Sequence, residues 1–372
     1  ARKPMKPNFA HYLCAAVLAA VLTSAPVAAQ TTPPSEGPPH RPMQPLHNAD
    51  GSLKRGLYNE IVTGYWSGYA ATAAAPYTSA SATWQVPSVT YGGATSQGYE
   101  YASAWVGIGG YFDSTLVQLG TMQGVSTSNA ASYHVWYELY PAGSVYISHT
   151  VKPGDIITAS LQCTAACSPS QVQTWQLSMT DETAGWTWTQ SLQYQSSMVS
   201  AEWILEAPYE GGTLPLPDYA QATFDPVLAN GANPNVTLSA NGIQMADPWG
   251  ETSNPSDTAG GNVFSTCWGL APSYTPCTAG SFGPPPPATT ASLSAYPAKI
   301  SPGQASTLTW SSTNDSSCTG GGFTASGTSG SAVVYPTVTT SYAVTCTGNS
   351  GSATAMATVT VSAPKTCQRK HC

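Results

Sequence analysis

Between residues 58 and 277 apolar and polar positions alternate in short runs, each closed by Gly, Pro, Asn or Ser. ATWQVPSV, SAWVGIGG, STLVQLG, YHVWYELYP, DIITASLQC, TWQLSMTD, WTWTQSLQY, AEWILEA, QATFDPV and NVTLSANGIQM read as strands with two unlike faces. No stretch carries the period of an amphipathic helix. So many short strands predict an all-β fold, a two-sheet antiparallel β-sandwich of concanavalin-like or jelly-roll type. The alternation also sorts the chemistry. It puts Leu116, Gln118 and Gly120 on one face, Trp136, Glu138 and Tyr140 on one face, and Glu202, Ile204 and Glu206 opposite Trp203 and Leu205. A carboxylate or amide in mid-strand is costly against a dry core, so these residues are expected to line a polar cleft.

The flanks read differently. Residues 1–29 read as a signal-peptide region. Lys6 supplies a positive start, residues 12–21 an apolar run too short to span a membrane, and Val27, Ala28 and Ala29 the small residues before a cleavage site. Residues 30–57, rich in Pro and without an apolar period, are expected to be a disordered propeptide or linker ending near the basic pair Lys54-Arg55. The sandwich is placed at 58–280, a Pro-rich linker at 281–287 and a Ser/Thr-rich Ig-like domain at 288–363. The basic Cys-containing tail, 364–372, closes the chain.

Composition narrows the classes. Only 8% of residues are charged and the net charge is -7, which argues against nucleic acid as a partner and suits an acidic medium. Cys14 lies in the signal region. The other cysteines fall into close pairs, Cys163/Cys167, Cys267/Cys277, Cys318/Cys346 and Cys367/Cys372, as disulfides of an exported chain would. His134 and His149 are not at ligand spacing, so neither a metal nor another cofactor is expected. There is no GxSxG elbow, no pair of Asp-Thr-Gly loops and no glycine loop opening a helix.

What is left is a carboxylate with an amide. AWVGIGG (104–110), LVQLG (116–120), YHVWYELYP (133–141), KPGDII (152–157) and AEWILE (201–206) resemble, in order and spacing, the glutamic peptidases, or eqolisins. The resemblance covers about 58–268 and implies a β-sandwich with a Gln/Glu dyad on its concave face. Carried over motif by motif, the dyad falls on Gln118 and on Glu206 rather than Glu202, with Trp105, Glu138, Tyr140 and Glu202 lining the cleft and binding substrate. The implied activity is secreted acid endopeptidase, with Glu206 as general base and Gln118 stabilising the tetrahedral intermediate. Protein or peptide substrates follow. The chain is expected to be a monomer, and its C-terminal module could contact a cell surface or polymer. Gly109 departs from the family, where an acidic residue usually stands. The alternative is a carbohydrate-binding or glycan-cleaving sandwich in which Glu138 would have to partner Glu206.

Overall fold

The computed structural model describes residues 37–94, 98–271, 277–283, 287–315, 317–348 and 351–362. The signal region, most of the proline run and the tail with Cys367 and Cys372 lie outside the described residues. The first strands are β1 (Ile61–Thr63), β2 (Trp66–Thr72), β3 (Ser79–Gln85), β4 (Tyr99–Ile108), β5 (Leu116–Ser126), β6 (Ala131–Tyr140) and β7 (Val145–Ile147). There follow β8 (Ile156–Ala165), β9 (Gln173–Asp181), β10 (Trp186–Tyr194), β11 (Ser200–Glu206) and β12 (Gln221–Ala229). After one helical turn, α1 (Leu238–Asn241), come β13 (Gly242–Ala246), β14 (Glu251–Pro255) and β15 (Phe264–Leu270). The turn α1 interrupts NVTLSANGIQM, which was expected to be strand throughout; only its second half pairs.

Hydrogen bonding is continuous along β10-β9-β8-β3-β12-β15-β14-β13-β2-β11-β4-β5-β6-β7, with β1 added on β13. The path folds over so that the β2-β11-β4-β5-β6 part lies against the β3 and β8 part. The Trp203 indole on β11 donates to the Ser81 carbonyl on β3 at 2.9 Å, and the Trp84 indole on β3 donates to Thr121 Oγ1 on β5 at 3.0 Å. Tyr69, Phe224 and Phe264 fill the same interior. Each large side chain removed from water contributes about 1.5–3 kcal/mol, and each indole N–H here keeps an acceptor. The interior therefore takes the odd-numbered face of β11, and the even-numbered face, with Glu202 and Glu206, is the outer one.

Downstream, β16 (Thr290–Tyr296), β17 (Lys299–Ile300), β18 (Ser306–Thr313), β19 (Ser317–Gly321), β20 (Ser329–Val334), β21 (Thr340–Gly348) and β22 (Gly351–Val361) form two small sheets, β16-β18-β20 and β17-β22-β21-β19. Trp310 on one packs near Cys318 and Cys346 on the other. That bridge joins directly opposite residues of neighbouring strands in one sheet, whereas an antibody domain bridges its two sheets. Cys163–Cys167 and Cys267–Cys277 are bonded as expected.

The disorder expected over residues 30–57 does not hold from Gly37 on. His40 and Met43 are buried, Met43 N–H donates to the Gly110 carbonyl at 2.8 Å, and Leu46 N–H to the Val62 carbonyl at 2.7 Å. The partners are remote in sequence, so no local apolar period announces them.

Candidate active site

Cross-strand register assembles the site. In antiparallel pairs, directly opposite residues share a face. Glu202 on β11 pairs with Gly107 on β4, Gly107 with Gln118 on β5, and Gln118 with Glu138 on β6. Glu202, Gln118 and Glu138 thus stand in one row, with a glycine between the first two. The next row is Ile204, Trp105, Gly120 and Trp136; the one beyond is Glu206, Ser103, Met122 and His134.

The register sets the two glutamates at different distances from Gln118. Gln118 and Glu202 are separated by two strand spacings, about 10 Å between backbones. Glu206 is displaced by a further four residues along the strand, about 13 Å. Glu206 instead meets the Trp105 indole, which donates to its Oε2 at 2.8 Å. Of the other expected lining residues, Glu138 faces Gln118 directly. Tyr140 shares its face two residues on, and its carbonyl accepts from the Tyr194 hydroxyl at 2.6 Å.

The row is fully buried, yet both side-chain atoms of Gln118, both carboxylate oxygens of Glu202 and one oxygen each of Glu138 and Glu206 lack a hydrogen-bond partner in the protein. An unsatisfied buried polar group costs about 1–3 kcal/mol, and a cluster of them marks a place where a ligand or substrate completes the bonding. Burial holds Glu202 well above the usual carboxylate range, and the charge of Asp113 adds to this. Burial likewise raises Glu206, helped by the charge of Glu138 and opposed by Trp105, the Arg41 backbone and Trp66.

Asp113 was not foreseen. It closes the β4–β5 turn by accepting from Gly110 N and Ser197 Oγ with one oxygen and from Thr115 N and Oγ1 with the other. In the same turn Gly109 has φ +84°, and a Cβ there would lie 2.6 Å from the Thr115 carbonyl oxygen. A side chain at Gly109 would therefore require the backbone to shift.

Also unforeseen is what covers the row. His40 stacks on Trp136 with ring centroids 3.7 Å apart, and both its N–H and its Nδ1 lie 3.1 Å from Glu138 Oε2. Only the Pro-rich composition of this segment was legible, and it carried no sign of a buried histidine.

Residues 64–263 match the family model described as Peptidase A4. The chain belongs to the peptidase A4 family. It is a glutamic-type peptidase, a hydrolase. Aspergillopepsin-2 of Aspergillus niger is 27% identical over 228 residues, which span 57% of this chain and 80% of that protein. Scytalido-glutamic peptidase, solved with a transition-state analogue inhibitor, is 22% identical over 55% of this chain and 98% of its own, with a TM-score of 0.44. SCP-B, an eqolisin solved with the tripeptide Ala-Ile-His, is 21% identical over the same shares with a TM-score of 0.39. Within this peptidase A4 chain the matched region holds Gln118, Glu138, Glu202 and Glu206, whereas His40 lies before it. Membership of the family sets aside the glycan-cleaving alternative.

Proposed function

We propose that this peptidase is an exported acid endopeptidase whose dyad is Gln118 and Glu202. The observation that carries this is the single row joining the two across Gly107. Both side chains rise from one face and end in polar atoms without a protein partner, which a shared hydrolytic water would satisfy. Ionised Glu202 takes a proton from that water as its oxygen bonds to the substrate carbonyl carbon. The Gln118 side-chain amide donates to the resulting oxyanion, worth about 3–4 kcal/mol for a well-placed donor. Glu202 then delivers the proton to the amine nitrogen as the C–N bond breaks, which restores the carboxylate. Glu206, held by Trp105, orients the floor of the cleft.

The remaining parts fit export. The proposed order is a signal at 1–29, a segment removed near Lys54-Arg55, the catalytic sandwich, and a Pro-linked Ig-like module that could contact a surface or polymer. The three disulfides among the described residues suit an oxidising compartment.

The test is digestion of denatured haemoglobin or casein across about pH 2–7, with single variants alongside. Glu202→Gln should lower kcat about 10²–10⁴-fold, because an amide cannot act as the base. Gln118→Ala should lower it about 10²–10³-fold. Glu206→Gln should retain measurable turnover. Full activity in Glu202→Gln together with loss in Glu206→Gln would return the base to Glu206.

A further inference from the structure

The covering segment follows a defined path. Gly37 and Pro38 carbonyls accept from Ser144 Oγ at 3.3 and 3.5 Å, and the Pro39 carbonyl accepts from Tyr209 N–H at 2.9 Å. His40 then lies on Trp136 and Glu138 of β6. The Arg41 guanidinium sits between two rings, 3.9 Å from the centroid of Tyr65 and 4.1 Å from that of Tyr209, while its backbone approaches Glu206 on β11. The Pro42 carbonyl accepts from the Tyr65 hydroxyl at 2.7 Å. From 37 to 43 an extended chain covers about 20 Å, which matches the four strand spacings from β6 to β2, about 19 Å. The segment therefore crosses the face that carries the dyad. Its prolines hold it extended before it binds, which lowers the ordering cost.

We propose that Trp136 and Glu138 form a subsite for a histidine side chain of the substrate peptide, filled here in cis by His40, so that residues 37–43 keep the full-length chain latent. The inference rests on the peptidase reading above and adds a side-chain preference and a resident occupant. The chemistry is that of an aromatic floor with a carboxylate at its edge. A flat imidazole gains both stacking and a hydrogen bond to Glu138, which an alkyl side chain lacks. With His40 on Glu138 and the Arg41 backbone at Glu206, the seated segment occupies the face a substrate peptide would need.

The test uses the full-length chain and its H40A/R41A variant, both latches lying in the segment rather than in the sandwich. The unaltered chain should show a lag in protein digestion, and the variant should start without one. The synthetic heptapeptide Gly-Pro-Pro-His-Arg-Pro-Met should inhibit the variant at least about tenfold more strongly than the same peptide with Ala for His. Tryptophan fluorescence of the variant, titrated with both peptides, reads the subsite without hydrolysis. A preference for the His peptide there supports the inference even if no digestion is seen, in which case the hydrolase reading alone fails. Equal binding of the two peptides, or equal lag-free digestion by both chains, overturns it.

Discussion

Gly107 is the residue on which the proposed dyad depends. A Cβ at this position would meet Trp105 Cζ3 at 2.9 Å, Leu116 Cδ1 at 3.0 Å and the Val117 carbonyl oxygen at 3.3 Å. Two of these are ends of side chains that can give, and the backbone is outside the left-handed region, so Gly107→Ala should still fold. Its methyl would occupy the space between Gln118 and Glu202. The expected outcome is a fall in kcat of about tenfold or more with little change in thermal midpoint, read by steady-state kinetics and calorimetry. A variant with unchanged kcat would show that the water does not sit over this glycine. Sequence alternation alone does not rank the two glutamates. Alternation places Glu202 and Glu206 on one face with equal force, because both are even-numbered in one strand. What separates them is pairing with β4 and β5, remote stretches whose register a single sequence does not state.

At the scale of elements, the strands were legible because each carries its own period, and the polar groups that interrupt them, Gln118, Glu138 and Glu202, stand in one cross-strand row. The segment at 37–57 was not. Its order comes from contacts such as His40 to Glu138, 98 positions apart, and from backbone bonds to Gly110 and Val62. Nor was the β4–β5 turn legible as part of the site. Asp113 ties that turn to itself and to Ser197, ahead of β11, and its charge raises Glu202. Asp113→Ala removes bonds to Gly110, Thr115 and Ser197, so about 1–3 kcal/mol of stability should go, seen as a lower urea midpoint at an unchanged slope. It also removes a negative charge near Glu202, which makes ionisation easier. The acid limb of kcat/KM should therefore move to lower pH. A limb that stays in place would mean that Asp113 acts on the turn alone.

For the whole molecule, the sparse charge and the buried carboxyls act in the same direction. Glu251 lies beside Asp247, and its carboxyl is pushed up to about 9, first by burial and then by the charge of Asp247, against the bond from Leu216 N–H. Glu100 and Asp155 are raised too, again chiefly by burial. A carboxyl whose folded value exceeds its unfolded one binds its proton more tightly when folded. The stability it contributes is complete below the unfolded value near 4.5 and is lost as pH climbs towards the folded value, near 9 for Glu251. Carboxylates that gain from an ion pair would oppose this trend, but among the described residues the one ion pair within 4.0 Å is His40 with Glu138. The thermal midpoint should therefore be highest in acid and fall between about pH 4.5 and 9. Glu251→Gln, which keeps the shape and cannot ionise, should flatten the fall over the upper part of that range. A midpoint that rises over the same interval would mean that these carboxyls are ionised in the fold, and the acid tolerance proposed for the enzyme would need another source.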